Sequence, residues 1–426
     1  MNKMNDNPAS DRSFLSNLFS GPWFSGPLWQ SAFRPFYLFG VLYGLGIMAI
    51  WILTTLGIFE FTPSLYGLSL WHGHEMVFGF SGAVVTGFIL TALPGWAGTK
   101  EIEGWRLALL VLLWFLGRFA VYSGDFIPPY GVLLLDSSLY FVAALMVLPG
   151  LLANDNKHYL ALLPIFLMFG IGNVIFHQSV MAGDLIRASW AIQIGLMAIV
   201  VKFILAGGFL TVIFTGNALR QKNGPELTIN PLLEYVSAAS LVLFVYGVLA
   251  DVPEKAAGIF ALITAAVQTV RFLRWRTTLI LDAPLVLIMH LAYLWFIAAL
   301  ILYGAAAFTE VIGPQVWLHA FTVGALSLMM LSLITRVALR HTGRPMVPAK
   351  AMTGAFALMF VVAFLRVMVA LGLLSEDWLP VTAVIWWVAF ALYLIFHGLF
   401  LIRPALPKKA GQRKKKGRTS ELGVTS

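Results

Sequence analysis

Twelve stretches of about twenty apolar residues dominate the sequence, near 33–58, 69–94, 104–123, 129–150, 159–181, 187–215, 231–250, 255–273, 281–304, 315–338, 351–374 and 380–403. A helix needs about 20 mostly apolar residues to cross the hydrocarbon of a bilayer. No water is present there to take up backbone N–H and C=O groups, so only helices and closed barrels span it. These runs are continuous rather than alternating, which selects helices over barrel strands. The expected fold is all-α: a polytopic membrane bundle of about twelve transmembrane helices. Composition agrees. Only 11% of the 426 residues are charged, against about 25% in soluble domains. That is too little charge to clothe a water-facing surface. It argues against a soluble enzyme, a disordered chain and a nucleic-acid binder, and it makes the lipid bilayer the first partner.

The connections are short, so one membrane domain is expected over 31–404. An N-terminal cytoplasmic or interfacial segment, 1–30, precedes it and a basic tail, 405–426, follows. The first segment lacks a basic-then-apolar stretch ending in small residues, so no cleaved signal peptide is expected. The tail holds Lys408, Lys409, Arg413, Lys414, Lys415, Lys416 and Arg418 against Glu421, six of the nine net positive charges. Connections on the tail's side carry a dozen Lys and Arg, among them Arg220, Lys222, Arg336, Arg340 and Arg344. The opposite connections carry Glu60, Asp125, Asp184, Asp251, Glu310 and Asp377 among others, with only Arg187 and Lys255 as cations. Cytoplasmic loops are the ones enriched in Lys and Arg. Both termini are therefore expected to be cytoplasmic.

The eight histidines fall in a pattern on this topology. His72 and His74 open the second run, His177 ends the fifth and His319 opens the tenth. All four are expected at one depth, in the outer third of the membrane toward the periplasm. His290 sits about 12 Å into the ninth run at 1.5 Å per residue, nearer the midplane. Polar groups at membrane depth are costly and usually functional. A bundle builds metal sites from side chains on facing helices, and imidazole is a usual ligand of copper, zinc and haem iron. His72, His74, His177, His290 and His319 are thus the candidate metal or haem ligands. With no cysteine in the chain, thiolate ligation, thioether-linked haem and cysteine-held clusters are excluded.

Trp71-His72-Gly73-His74-Glu75-Met76 is the sharpest local signal. Residues two apart on a helix point about 200° apart, so His72 and His74 either serve two centres or lie in a loop. His72 and Glu75, three apart, share a face on a regular helix. No histidine follows Glu75 at zinc-protease spacing. Arg118 is expected near the outer layer, where a guanidinium can hold a haem propionate, or pair with Asp136. Arg34 is expected to reach lipid headgroups. An H-x₄-G echo joins His74–Gly79 to His319–Gly324, and it does not fit a duplication into two halves.

With these residues in place, the chain resembles the NnrS family of bacterial inner-membrane proteins from about Ser31 to about Pro404. The resemblance rests on FRPF (Phe33–Phe36), WHGHEMVFGF (Trp71–Phe80), LTALPGWAG at the close of the second run, and Asn173-x-x-x-His177. It continues through HLAY (His290–Tyr293), LHAFTVGA (Leu318–Ala325) and RVALRHTGRP (Arg336–Pro345). One stretch departs from it: after Gly207-Gly208, Phe209 and Ile213 stand where the family usually has Arg and Pro. The resemblance implies a multi-pass protein of the bacterial inner membrane. It also implies haem and copper, and a link to nitric oxide metabolism or resistance to nitrosative stress. It makes Glu75, Arg118, Arg34 and Asn173 supporting candidates. In that reading the haem is of b type, nitric oxide or a related diatomic is the small ligand, and an electron donor remains to be named. A twelve-helix secondary transporter of a small molecule or metal is the alternative. An oxidase or nitric oxide reductase core is a third class, without recognisable ligand signatures here.

Overall fold

The computed structural model describes residues 24–61 and 67–407. Most of the N-terminal segment and all of the tail's basic run lie outside the described residues. Among the described residues there is no strand, and twelve helices are long and apolar enough to cross a membrane. They are α1 (Phe33–Thr55), α2 (Leu68–Ala97), α3 (Gly104–Tyr122), α4 (Pro129–Ala153), α5 (Lys157–Met181) and α6 (Leu185–Gln221). Then follow α7 (Pro231–Leu249), α8 (Glu254–Leu279), α9 (Pro284–Ala306), α10 (Pro314–His341), α11 (Lys350–Ala370) and α12 (Trp378–Ile402). The expected twelve-span bundle is present. α6 is 37 residues long and overruns its apolar stretch by carrying Asn217 and Arg220 in its last turns.

Three of the twelve form the interior. The most apolar windows of α2, α6 and α10 are 89%, 72% and 78% buried, against 33–67% in the other nine. The nine pack in three arcs around them: α3–α4–α5 lead from α2 to α6, α7–α8–α9 from α6 to α10, and α11–α12–α1 back to α2. Each arc encloses one compartment against the central helices beside it.

The three central helices share a second feature. Each is interrupted by a π-helical segment: Glu75–Ser81 in α2, Phe203–Gly208 in α6 and Ala320–Leu326 in α10. The residue just before each segment is His74, Lys202 or His319, and a glycine stands five positions on: Gly79, Gly207, Gly324. The echo visible between α2 and α10 is therefore a repeat in threes, its third copy disguised by a lysine. π segments shift backbone hydrogen bonds out of register and recur at functional sites. Here side chains take up their carbonyls. Trp114 Nε1 donates to Gly79 O at 3.0 Å, Thr211 Oγ1 to Gly207 O at 2.7 Å and Ser327 Oγ to Thr322 O at 2.8 Å, while Tyr140 donates to Phe78 O.

Arg34 does not extend outward from the bundle. It is buried, and its Nη1 donates to the carbonyls of Leu401 at 3.0 Å and Arg403 at 2.8 Å. The last carbonyls of a helix have no partner of their own. Those of α12 are met by α1, which closes the outer ring.

Candidate functional site

The first compartment, between α2, α6 and α3–α4–α5, holds a buried polar cluster. His74, Glu75, Asp136, Asn173, His177 and Arg118 are each at most 5% exposed. His74 Nδ1 lies 2.7 Å from Glu75 Oε1, and its Nε2 lies 2.8 Å from Asn173 Oδ1 and 3.3 Å from Asp136 Oδ2. His177 Nε2 is 2.7 Å from the same Asp136 oxygen. Arg118 spans the two carboxylates, donating to Glu75 Oε2 at 2.6 Å and pairing with Asp136, while Tyr43 donates its hydroxyl to Glu75.

Local sequence makes this convergence possible. The π segment begins at Glu75 and turns that carboxylate to His74 and Arg118. The regular-helix expectation that Glu75 shares a face with His72 fails for that reason. Gly117 lets α3 and α4 touch: a Cβ there would stand 2.9 Å from Asp136 Cα. Gly79 does the same for the guanidinium, since its Cβ would meet Glu75 Oε2 at 3.0 Å and Arg118 Nη1 at 3.1 Å.

Two features of the cluster call for positive charge. Two carboxylates face one guanidinium, which leaves one negative charge over in a site without solvent. The His74 ring also has a carboxylate oxygen beside each nitrogen, whereas a neutral imidazole supplies only one N–H. One ligand atom each from His74, Asp136 and His177 lies within 4.8 Å of the other two. Buried charges in proteins are paired or coordinate metals, and this group has the spacing for a cation.

His72 points the other way. α2 is helical through both histidines, so their rings take opposite sides as the two-residue spacing requires. His72 lines a cavity of about 940 Å³ in the third compartment, between α2, α6, α10 and the α11–α12–α1 arc. Its ring lies 4.4 Å from that of Trp51, and its Nδ1 is buried with no hydrogen-bond partner among the described residues. His319 lines the same cavity. Its Nδ1 donates to Gln315 O at 2.8 Å, and its Nε2 accepts from Arg366 at 3.0 Å. Met76, Met330, Trp386 and several leucines supply apolar walls. The volume is at the upper end of the roughly 300–1,000 Å³ of small-molecule and cofactor pockets.

His290 stands apart from both groups. Its Nε2 meets Thr215 Oγ1 and its Nδ1 meets Thr277 Oγ1, each at 2.8 Å. It belongs to the second compartment, where Arg271 pairs with Glu234 at 2.5 Å and donates to Tyr293 at 2.9 Å. Gly208 is needed there, because a Cβ would run into that guanidinium. Its neighbour Phe209 is 42% exposed and does not line the cavity of His72 and His319. Arg118, Arg271 and Arg366 stand in the first, second and third compartments respectively.

Sequence reasoning named Asp136 only as a possible partner of Arg118 and passed over Arg366 and Lys202. Charged residues inside apolar runs were the available signal. All three are such residues.

The fold and the cluster define a polytopic α-helical membrane protein with a buried histidine–carboxylate group at metal-ligating spacing. Compared with known families, residues 27–405 match the model described as NnrS protein, and the chain belongs to the NnrS family. No curated protein matches it.

Proposed function

We propose that the chain is a haem- and copper-binding protein of the bacterial inner membrane, acting in nitric oxide metabolism or resistance to nitrosative stress. Membership of the NnrS family supports the nitric oxide connection. The observation that carries the metal assignment is the spacing of His74, Asp136 and His177.

The donor sets fit the two cofactors. Two imidazoles and a carboxylate suit copper, and no softer thiolate is present to compete. Glu75 on His74 Nδ1 is the kind of carboxylate partner that fixes the tautomer of a ligating histidine. For the haem, the large apolar cavity offers His72 with an unpartnered Nδ1. It also offers His319 with its tautomer set by the Gln315 carbonyl. Arg366 bonds His319 and no carboxylate among the described residues, so it is the arginine suited to a propionate. Arg118, engaged by Glu75 and Asp136, is not. With no cysteine, the haem is held without a covalent link. Bound haem iron and copper supply reversible binding of a small diatomic and one-electron transfer.

The protein's own contribution is positional. Glu75 and Arg118 hold His74 and Asp136 in place. The apolar wall of the cavity excludes water, and the shared helix α2 fixes the distance between the two centres. His290 is assigned to the polar network of the second compartment rather than to either ligand set.

The test is to purify the full chain from haem- and copper-replete cells and measure iron, copper and the haem absorption spectrum on one sample. Stoichiometric haem that acid–acetone extracts completely, with bound copper, supports the reading. A monodisperse protein with neither metal overturns it.

A further inference from the structure

A second large cavity opens at the opposite ends of the central helices. It measures about 930 Å³ and lies between the last turns of α2, α6 and α10 and the start of α9. Much of its wall is apolar, with Phe88, Trp96, Leu210 and Phe214, while Thr91, Asn217, Gln221 and His341 also line it; Arg220, Arg336 and Arg340 supply the charge, and no Asp or Glu among the described residues does. Arg220 and Arg340 are in the last turns of their helices, where a cation complements the carbonyl end of the macrodipole. That accounts for those two.

Arg336 is different. It sits five residues before the end of α10. Its guanidinium lies 3.9 Å from the centroid of the Phe214 ring, and its Nε is buried without a hydrogen-bond partner. The nearest residue of its own helix to line the cavity with charge is another arginine, Arg340, one turn on. Among the described residues that line it, the opening therefore carries three arginines and no acid.

We propose that this cavity binds the phosphodiester headgroup of an acidic phospholipid, with Arg336 and Arg340 on the phosphate and the acyl chains against the apolar wall. Three observations select a lipid over a small free anion. The opening is far larger than a phosphate, much of its wall is apolar, and it lies at the end of membrane-spanning helices. Basic pockets between such helices are known to take acidic headgroups, and a guanidinium matches phosphate geometry with two parallel hydrogen bonds. The inference does not depend on the cofactor assignment, because no candidate ligand lines this cavity.

The experiment uses the full chain, delipidated in a neutral detergent. Its thermal unfolding midpoint is followed as phosphatidylglycerol, phosphatidylcholine or inorganic phosphate is added. A saturable rise is expected with phosphatidylglycerol alone. Arg336→Gln is expected to raise the half-saturating lipid concentration about tenfold, as loss of one charge-assisted contact would. Lys100→Gln, on an exposed connection, should leave it unchanged. If Arg336→Gln fails to fold, Arg340→Gln and native mass spectrometry of retained lipid give the same reading. An equal rise with phosphatidylcholine, a rise reproduced by inorganic phosphate, or an unshifted titration in both arginine variants overturns the proposal.

Discussion

Lys202 occupies in α6 the place that His74 occupies in α2: each is the last residue before a π-helical segment and stands five residues before a glycine. His74 is surrounded by carboxylates and an amide. Lys202 is 4% exposed, and its Nζ lies 4.3 Å from the centroid of the Phe88 ring. One backbone position in the repeat is thus filled by a ligand-type side chain in one copy and by a buried amine in another.

That contrast gives the first prediction. No carboxylate among the described residues pairs with this amine, burying an ammonium without such a partner is costly, and methionine fills nearly the same volume. Lys202→Met is expected to leave expression intact and raise the thermal unfolding midpoint in detergent. A lower midpoint would show that the amine has a stabilising partner.

The second prediction concerns the bridge made by Arg118. Removing one member of a buried ion pair costs about 3–5 kcal/mol, because the other charge is left unanswered. Asp136→Asn and Arg118→Gln should each destabilise strongly. Removing both should cost clearly less than the sum, since the partner left behind by one change is taken away by the other. A double-mutant cycle from detergent melts measures the coupling. Strict additivity would mean that the two side chains do not share one network.

Metal content supplies the third. His74→Ala and His177→Ala are expected to lower copper while leaving haem near its normal occupancy. His72→Ala and His319→Ala should do the reverse, because α2 sends its two histidines to different compartments. His158→Ala, on an exposed stretch away from both groups, should change neither. Expression and monodispersity must be matched across the set. Loss of both metals in all four variants would indicate a single shared centre.

Orientation is the fourth. Reporter fusions near Arg340 and after Gln412 should report cytoplasm, and one near Glu310 should report periplasm, following the Lys and Arg bias of the connections. A periplasmic report near Arg340 would invert the bundle and move the histidine layer to the cytoplasmic side.

Much of the architecture was legible because lipid leaves so few choices. Once apolar runs of spanning length are counted, backbone satisfaction decides the rest. The opposed directions of His72 and His74 follow from the 3.6-residue period and need no tertiary information. What the sequence hid depends on departures from that period. The π segment redirects Glu75 from His72 to His74, and nothing in the composition of Glu75–Ser81 announces a π turn. The repeat in threes was masked by Lys202, which a search for histidines passes over. Asp136 and Arg366 were visible as charges in apolar runs, but their partners come from α5 and α10, which only packing brings together.

Arg34 has a consequence for the order in which the molecule can be completed. It binds the end of α12, so α1 must keep one flank open until α12 has been delivered to the membrane. Chains generally fold their N-terminal parts first as they are made. The His74–Asp136–His177 group draws only on α2, α4 and α5, and it can assemble before α6–α12 have been made. The chamber of His72 and His319 cannot, because α10, α11 and α12 wall it and come later in the chain. The two compartments on either side of α2 therefore mature at different times, and the earlier one is ready before the later one can hold anything.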